Sequence, residues 1–216
     1  MKKIVFLILT LLTPILLFSQ EEAVDPKAKD ILGKAVDAFD SKRGVVADFQ
    51  IEINDIKSGK SENIPGIVFL KGEKFKLSVR GVDTHFDGKT QSVLMNEEKE
   101  VTISTPTKED LKDINPLILM KSYGTDYKMR YIGSKKEGGE LIEVVDLYPN
   151  DLNSQYSIIT LKIAKENLQL RSMLLKGKGG VNTKLSIKKI VNKDLDDKIF
   201  VFDSKIHSDV EVIDLR

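Results

Sequence analysis

Cysteine and tryptophan are both absent from this 216-residue chain, and only two histidines occur. No disulfide can staple the fold, no thiol can act as a nucleophile and no thiolate can hold a metal. Nor is there a cysteine near the N-terminus to carry a lipid. His85 and His207 are too few for a histidine-rich metal site, and the acidic residues are scattered rather than grouped. An excess of charge of one sign is lacking too: 34 Lys+Arg face 33 Asp+Glu, which leaves no electrostatic footprint for nucleic acid. The nucleophile elbow G-x-S-x-G does not occur. Gly59-Lys60-Ser61 is the tail of a phosphate loop without its leading glycine, and it falls between strands. No acid–base constellation stands out.

What is present begins with an export signal. Lys2 and Lys3 precede an apolar run from Ile4 to Leu12, broken only by Thr10 and continued after Thr13-Pro14 by Ile15 to Phe18. Ser19-Gln20 then leads into Glu21-Glu22. This is the layout of a secretory signal peptide, expected over residues 1–20. The run is shorter than the roughly 20 residues needed to span a bilayer, and Pro14 sits inside it. Losing Lys2 and Lys3 leaves 32 basic against 33 acidic residues. No later run approaches spanning length, so the mature chain, 21–216, is expected to be one domain outside the cytoplasm with no stable membrane insertion.

One helix opens the mature chain. Asp25 is a good N-cap, Pro26 suits the first helical position, and Ala28, Ile31, Leu32, Ala35, Val36 and Phe39 share one face. Gly44 is the expected stop. The period then changes to two. Ala47, Phe49, Ile51 and Ile53 alternate with polar residues, and further strands are expected at 66–70, 75–79, 85–86, 91–95, 100–104, 127–132, 141–148, 157–164, 168–176, 183–191 and 199–202. Asp87-Gly88 marks a tight hairpin. A helical segment is expected over 107–122, capped by Thr107 and kinked at Pro116. About eleven short strands with turns at near-regular spacing predict a mainly β barrel or sandwich of antiparallel neighbours.

Some strands carry apolar residues on both faces. Ile67 to Leu70, Val144-Val145 and Met173 to Leu175 must bury both, either in a filled core or with one face lining a pocket. Leu117-Ile118-Leu119-Met120, beyond Pro116, is either a lid over a cavity mouth or an ordinary helix docked on the sheet.

Taken in order, these segments resemble the periplasmic outer-membrane lipoprotein carrier family, LolA. The likeness runs from about residue 28 to 214. It includes the opening helix, the strand 45–54, Gly66-Ile67-Val68-Phe69-Leu70-Lys71 followed by Phe75, and the hairpin His85-Phe86-Asp87-Gly88-Lys89-Thr90. It continues through Asn115-Pro116-Leu117-Ile118-Leu119-Met120, Asp146-Leu147-Tyr148-Pro149, and Ile199-Phe200-Val201-Phe202 with Val210-Glu211-Val212-Ile213. The resemblance implies a half-open antiparallel β-barrel with short helices covering its open side. It also implies a monomeric periplasmic chaperone, not an enzyme and without a cofactor, that shields the acyl chains of lipoproteins and carries them from an inner-membrane release complex to an outer-membrane acceptor. Phe49, Phe69, Phe75, Leu77, Val79, Leu94 and Met95 are then the expected cavity wall, and Pro116, Leu117, Ile118, Leu119 and Met120 the lid. The chain departs from the family where Gly72 replaces a lid-latching arginine, leaving Lys71 or Arg80 as substitutes. It also lacks the tryptophan after the Asp-Gly hairpin and the proline after the F-x-F pair. The alternatives on the same scaffold are a carrier of a free lipid or lipophilic small molecule, and an adaptor for a membrane-protein partner.

Overall fold

The computed structural model of the protein describes residues 25–39, 43–107, 110–111 and 123–216. The segment expected to direct export, 1–20, and the one expected to form a lid, Pro116 to Met120, lie outside the described residues, as does most of the helix expected over 107–122.

Helix α1 spans Pro26–Phe39. The Asp25 carboxylate accepts from the Lys27 amide at 3.0 Å and the Ala28 amide at 3.2 Å, which satisfies two donors left orphaned at the helix start. The strands are β1 (Val45–Asp55), β2 (Lys60–Lys71), β3 (Lys74–Val79), β4 (Val82–Phe86), β5 (Gln91–Met95) and β6 (Glu100–Ser104). After a short α2 (Tyr123–Asp126) follow β7 (Tyr127–Glu137), β8 (Glu140–Pro149), β9 (Tyr156–Ala164), β10 (Leu170–Gly177), β11 (Val181–Asn192) and β12 (Glu211–Asp214).

All twelve strands form one sheet in the order β12-β6-β5-β4-β3-β2-β1-β11-β10-β9-β8-β7. Two antiparallel meanders, β1 to β6 and β7 to β11, are therefore zipped together by the β1–β11 ladder. β12 adds to β6 in parallel. β7 and β12 stand at opposite edges and do not pair, so the barrel is incomplete. Register shifts at Asp48/Phe49 against β11 and at Tyr131/Gly133 in β7 are bulges, which bend strands and increase twist.

Helix α1 and the helical start at Leu111 lie on the same face of the sheet, the inner face. On the β7–β10 half, Ala28, Ile31, Leu32 and Ala35 of α1 are buried against Met129, Val145, Leu147, Ile159, Leu161, Ile163, Leu170 and Met173. On the other half, Leu111 is buried with Val45, Leu70, Phe75 and Phe86. Thr107 does cap that second helical start. Its hydroxyl accepts from the Asp110 amide at 3.3 Å, and the Asp110 carboxylate accepts from the Thr107 amide at 2.8 Å.

The segment after β11 crosses the outer face. Leu195 fills the space over Gly44, whose φ of +122° suits glycine and whose missing Cβ would stand 2.7 Å from the leucine side chain. Asp196 caps a single 3-10 turn, Asp197–Phe200, and Phe200 is buried at 1% exposure. The strand expected over 199–202 is thus corrected. Its apolar alternation is short, and a four-residue apolar run fits a buried turn as well as a strand.

Candidate functional site

The register decides which side chains share the inner face. Directly opposed residues point the same way, and successive residues alternate. Phe49 opposes Gly66, which opposes Val79, then Val82, Met95 and Glu100. A second row runs Val68, Leu77, Thr84, Val93 and Thr102, and a third Leu70, Phe75, Phe86, Gln91 and Ser104. Leu70, Phe75 and Phe86 are buried with Leu111, so all three rows face inward.

Of the residues expected to wall a cavity, Phe49, Phe75, Leu77, Val79 and Met95 lie on this inner face. Phe69 and Leu94 lie on the other, since Phe69 opposes Val46 and Lys76, and Leu94 opposes Asp83 and Val101. The inward set also differs in depth. Phe75 is 1% exposed and packs on Phe86 with ring centroids 5.4 Å apart. Phe49 lies across Gly66, where a Cβ would stand 2.4 Å from its ring, and is buried. Leu77, Val79 and Met95 are half-buried, and so are Ile51, from the alternating apolar face of β1, Val68, from the strand apolar on both faces, and Ile187. These six extend across the sheet from β5 to β11, and Val68 and Leu77 among them pack against the Leu111 cluster.

The expected latch residues have other partners. Lys71 Nζ donates to the Leu195 carbonyl at 2.8 Å and to Asp197 at 2.7 Å, while Lys74 holds the second Asp197 oxygen at 2.7 Å. Hydrogen bonds from Lys71 and then Lys74 bring the Asp197 carboxyl down to about 2. Arg80, at the β3–β4 turn with φ of 52°, forms an ion pair with Glu62. Both lysines thus tie the C-terminal segment to the outer face.

The two histidines also serve the C-terminal segment. His85 is buried on β4, where Nδ1 donates to the Ile199 carbonyl at 3.0 Å. Burial lowers its pKa, and the bond to Ile199 opposes that only in part. His207 stacks on Phe202 at 5.2 Å.

The inner face is pinned at its α1 end by a polar network. The second Asp25 oxygen accepts from the Tyr131 amide at 2.8 Å, a backbone donor on the edge strand β7. That bond, ahead of those from Ala28 and Lys27, holds the Asp25 carboxyl below its usual range. Lys27 Nζ stands 3.8 Å over the Tyr131 ring. The Tyr131 hydroxyl donates to Glu143 at 2.6 Å, and Ser134 does so at 2.5 Å. Burial pushes the Glu143 carboxyl up, but these two donors with Lys165 more than offset it and leave it low. Every group here has a structural partner. Among the described residues no cluster of His, Asp and Glu could hold a metal, and no helix is long and apolar enough to cross a membrane.

The family model described as outer membrane lipoprotein carrier protein LolA matches residues 18–165. No curated protein sequence matches the chain. The crystal structure of an uncharacterized conserved protein from Thermus thermophilus superposes with a TM-score of 0.63 at 13% identity, covering 87% of this chain and 99% of that one. A putative outer membrane lipoprotein-sorting protein domain from Vibrio parahaemolyticus gives a TM-score of 0.49 at 12% identity, over 84% of this chain and 98% of that one. A LolA superfamily protein from Nitrosomonas europaea gives 0.45 at 16% identity, over 81% and 97%. At such identities a likeness is one of fold. The family match, however, takes in α1, the first meander and the strands up to β9, and the sheet is the incomplete barrel that the segment order implied. The chain belongs to the outer membrane lipoprotein carrier protein LolA family.

Proposed function

We propose that this protein is a periplasmic carrier that takes up the acyl chains of lipoproteins on its inner face and moves them from the inner to the outer membrane. Residues 1–20 direct export, and Pro116 to Met120 cover the site when it is empty. The observation that carries this reading is the central stretch of half-buried apolar side chains, Ile51, Val68, Leu77, Val79, Met95 and Ile187, in a member of a carrier family. Burying a methylene is worth about 0.8 kcal/mol, so acyl chains do not cross water without such a surface. A lid that already covers part of that surface lowers net affinity, because opening it gives up burial, and cargo can then be released. No chemical step is required.

Native mass spectrometry of residues 21–216 with a purified triacylated lipoprotein tests the proposal. A one-to-one complex that requires the acylated form is expected. Binding of free fatty acid or phospholipid but not of the lipoprotein would instead make the protein a small-lipid carrier, and binding of neither would leave the adaptor role.

A further inference from the structure

The inner face is not apolar throughout. Toward β4–β6 two polar side chains are buried: Gln91 at 7% exposure and Thr84 at 8%. Gln91 stands between Phe86 and Ser104, and Thr84 stands between Leu77 and Val93. Neither side chain has a hydrogen-bond partner among the described residues. Other large buried polar groups do: Glu143 is held by Tyr131 and Ser134, and His85 by the Ile199 carbonyl. The buried Ser92 and Ser172 are small hydroxyls on the outer face, opposite His85 and Lys162.

A glutamine amide offers two donors and one two-lone-pair acceptor, and a threonine hydroxyl one donor. Leaving such groups buried and unpaired costs free energy, and native folds keep few of them without a reason. A hydrocarbon chain lying on this face would leave both unpaired. An acyl ester would not, because its carbonyl oxygen accepts from the Gln91 Nε2–H or the Thr84 Oγ1–H. The two residues are diagonal neighbours on the β4–β5 ladder, a spacing of about 7–8 Å. Two esters on adjacent glycerol carbons can meet them once the side chains extend.

We propose that Gln91 and Thr84 form a polar subsite of the inner face that receives the ester carbonyls of a diacyl ligand, with its chains laid over Val68, Leu77 and Val79. This rests on the acyl-carrier reading and adds to it the direction in which cargo lies. Two series of ligands distinguish the source of the ester. One is a dipalmitoylglyceryl-cysteinyl peptide and its dihexadecyl ether counterpart. The other is dipalmitoyl phosphatidylglycerol and its ether counterpart, used below the concentration at which it forms vesicles. Residues 21–216, as wild type and as the double variant Gln91→Leu/Thr84→Val, are titrated with all four.

The expected result is a preference of about tenfold for ester over ether in the series the wild type binds, as one well-placed hydrogen bond gives. The double variant loses the preference while keeping its affinity for the ether, which also shows that it is folded. Equal binding of ester and ether by the wild type, or a preference that survives in the double variant, overturns the subsite. Binding of no ligand in either series overturns the carrier reading along with it.

Discussion

Gly66 has no side chain because the Phe49 ring occupies the place where one would begin. A Cβ there would stand 2.4 Å from the ring of Phe49, itself buried, and 2.8 Å from Val79. Gly66→Ala should therefore cost about 1–3 kcal/mol, the usual penalty of overpacking. Chemical denaturation should show the loss, and it should shrink when Phe49→Leu is added. A Gly66→Ala protein as stable as the parent would mean that the ring does not lie across the glycine. In the sequence this pair was only half legible. The alternation of β1 put Phe49 on that strand's apolar face, and Gly66 was visible as the head of a strand. Nothing in either segment says that they meet, because the β1–β2 register is a property of two strands together. For the same reason Phe69 and Leu94 looked as suited to the cavity wall as Leu77. Their parity is set only once Phe69 opposes Lys76 and Leu94 opposes Val101.

Helix α1 is joined to the sheet by one carboxylate that serves two elements. Asp25 caps its own helix and takes the Tyr131 amide of β7. Asp25→Ala should cost about 1–2 kcal/mol, at the upper end for a cap, and Asp25→Asn should recover part of it. Hydrogen exchange should locate the loss at the Tyr131 amide as well as in the first helical turn. Protection unchanged at Tyr131 would refute the double role. On the outer face the C-terminal segment depends on His85. Burial lowers the His85 pKa below 6.5, so the unfolded chain takes up that proton at a higher pH than the fold does. Stability is then full above about 6.5 and falls with pH until the folded pKa is passed. Asp197, lowered to about 2, adds a separate loss only in strong acid, as pH falls from its ordinary 3.8. The thermal midpoint should drop between pH 7.5 and 5.5, and His85→Gln should flatten that drop. An equal drop in both proteins would assign it to other groups. The elements themselves were largely readable, since most strands alternate cleanly. The exceptions have local causes. Lys60 to Pro65 extends β2 although it is polar and contains a proline. Pro65 is tolerated because β3 ends opposite Gly66 and leaves that side of β2 without a neighbour. β12 gains its place from a parallel partner far away in the chain, which no local pattern encodes.

Across the whole molecule, the sheet keeps two faces with different work. Ser78 and Val79 are adjacent in β3 and point to opposite sides. Val79→Lys should lower acyl-lipid affinity by about tenfold or more, because a cation placed in an apolar site must be desolvated or displace the ligand. Ser78→Lys should leave affinity within about twofold. Ile118→Glu, in the segment proposed as a lid, should act like Val79→Lys. Equal effects of the two β3 substitutions, measured by lipid titration alongside thermal midpoints, would remove the inner face as the site. The joining of the two meanders carries a different consequence, one of timing. β1 is made early and its β2 side can close at once, but its other side waits for β11, after every strand from β2 to β10 has been synthesised. Through that interval the central strand of the finished sheet is a bare edge, open to any neighbouring chain. The molecule is therefore most prone to self-association before it is complete, and a helper that shields a nascent strand would protect it best at β1.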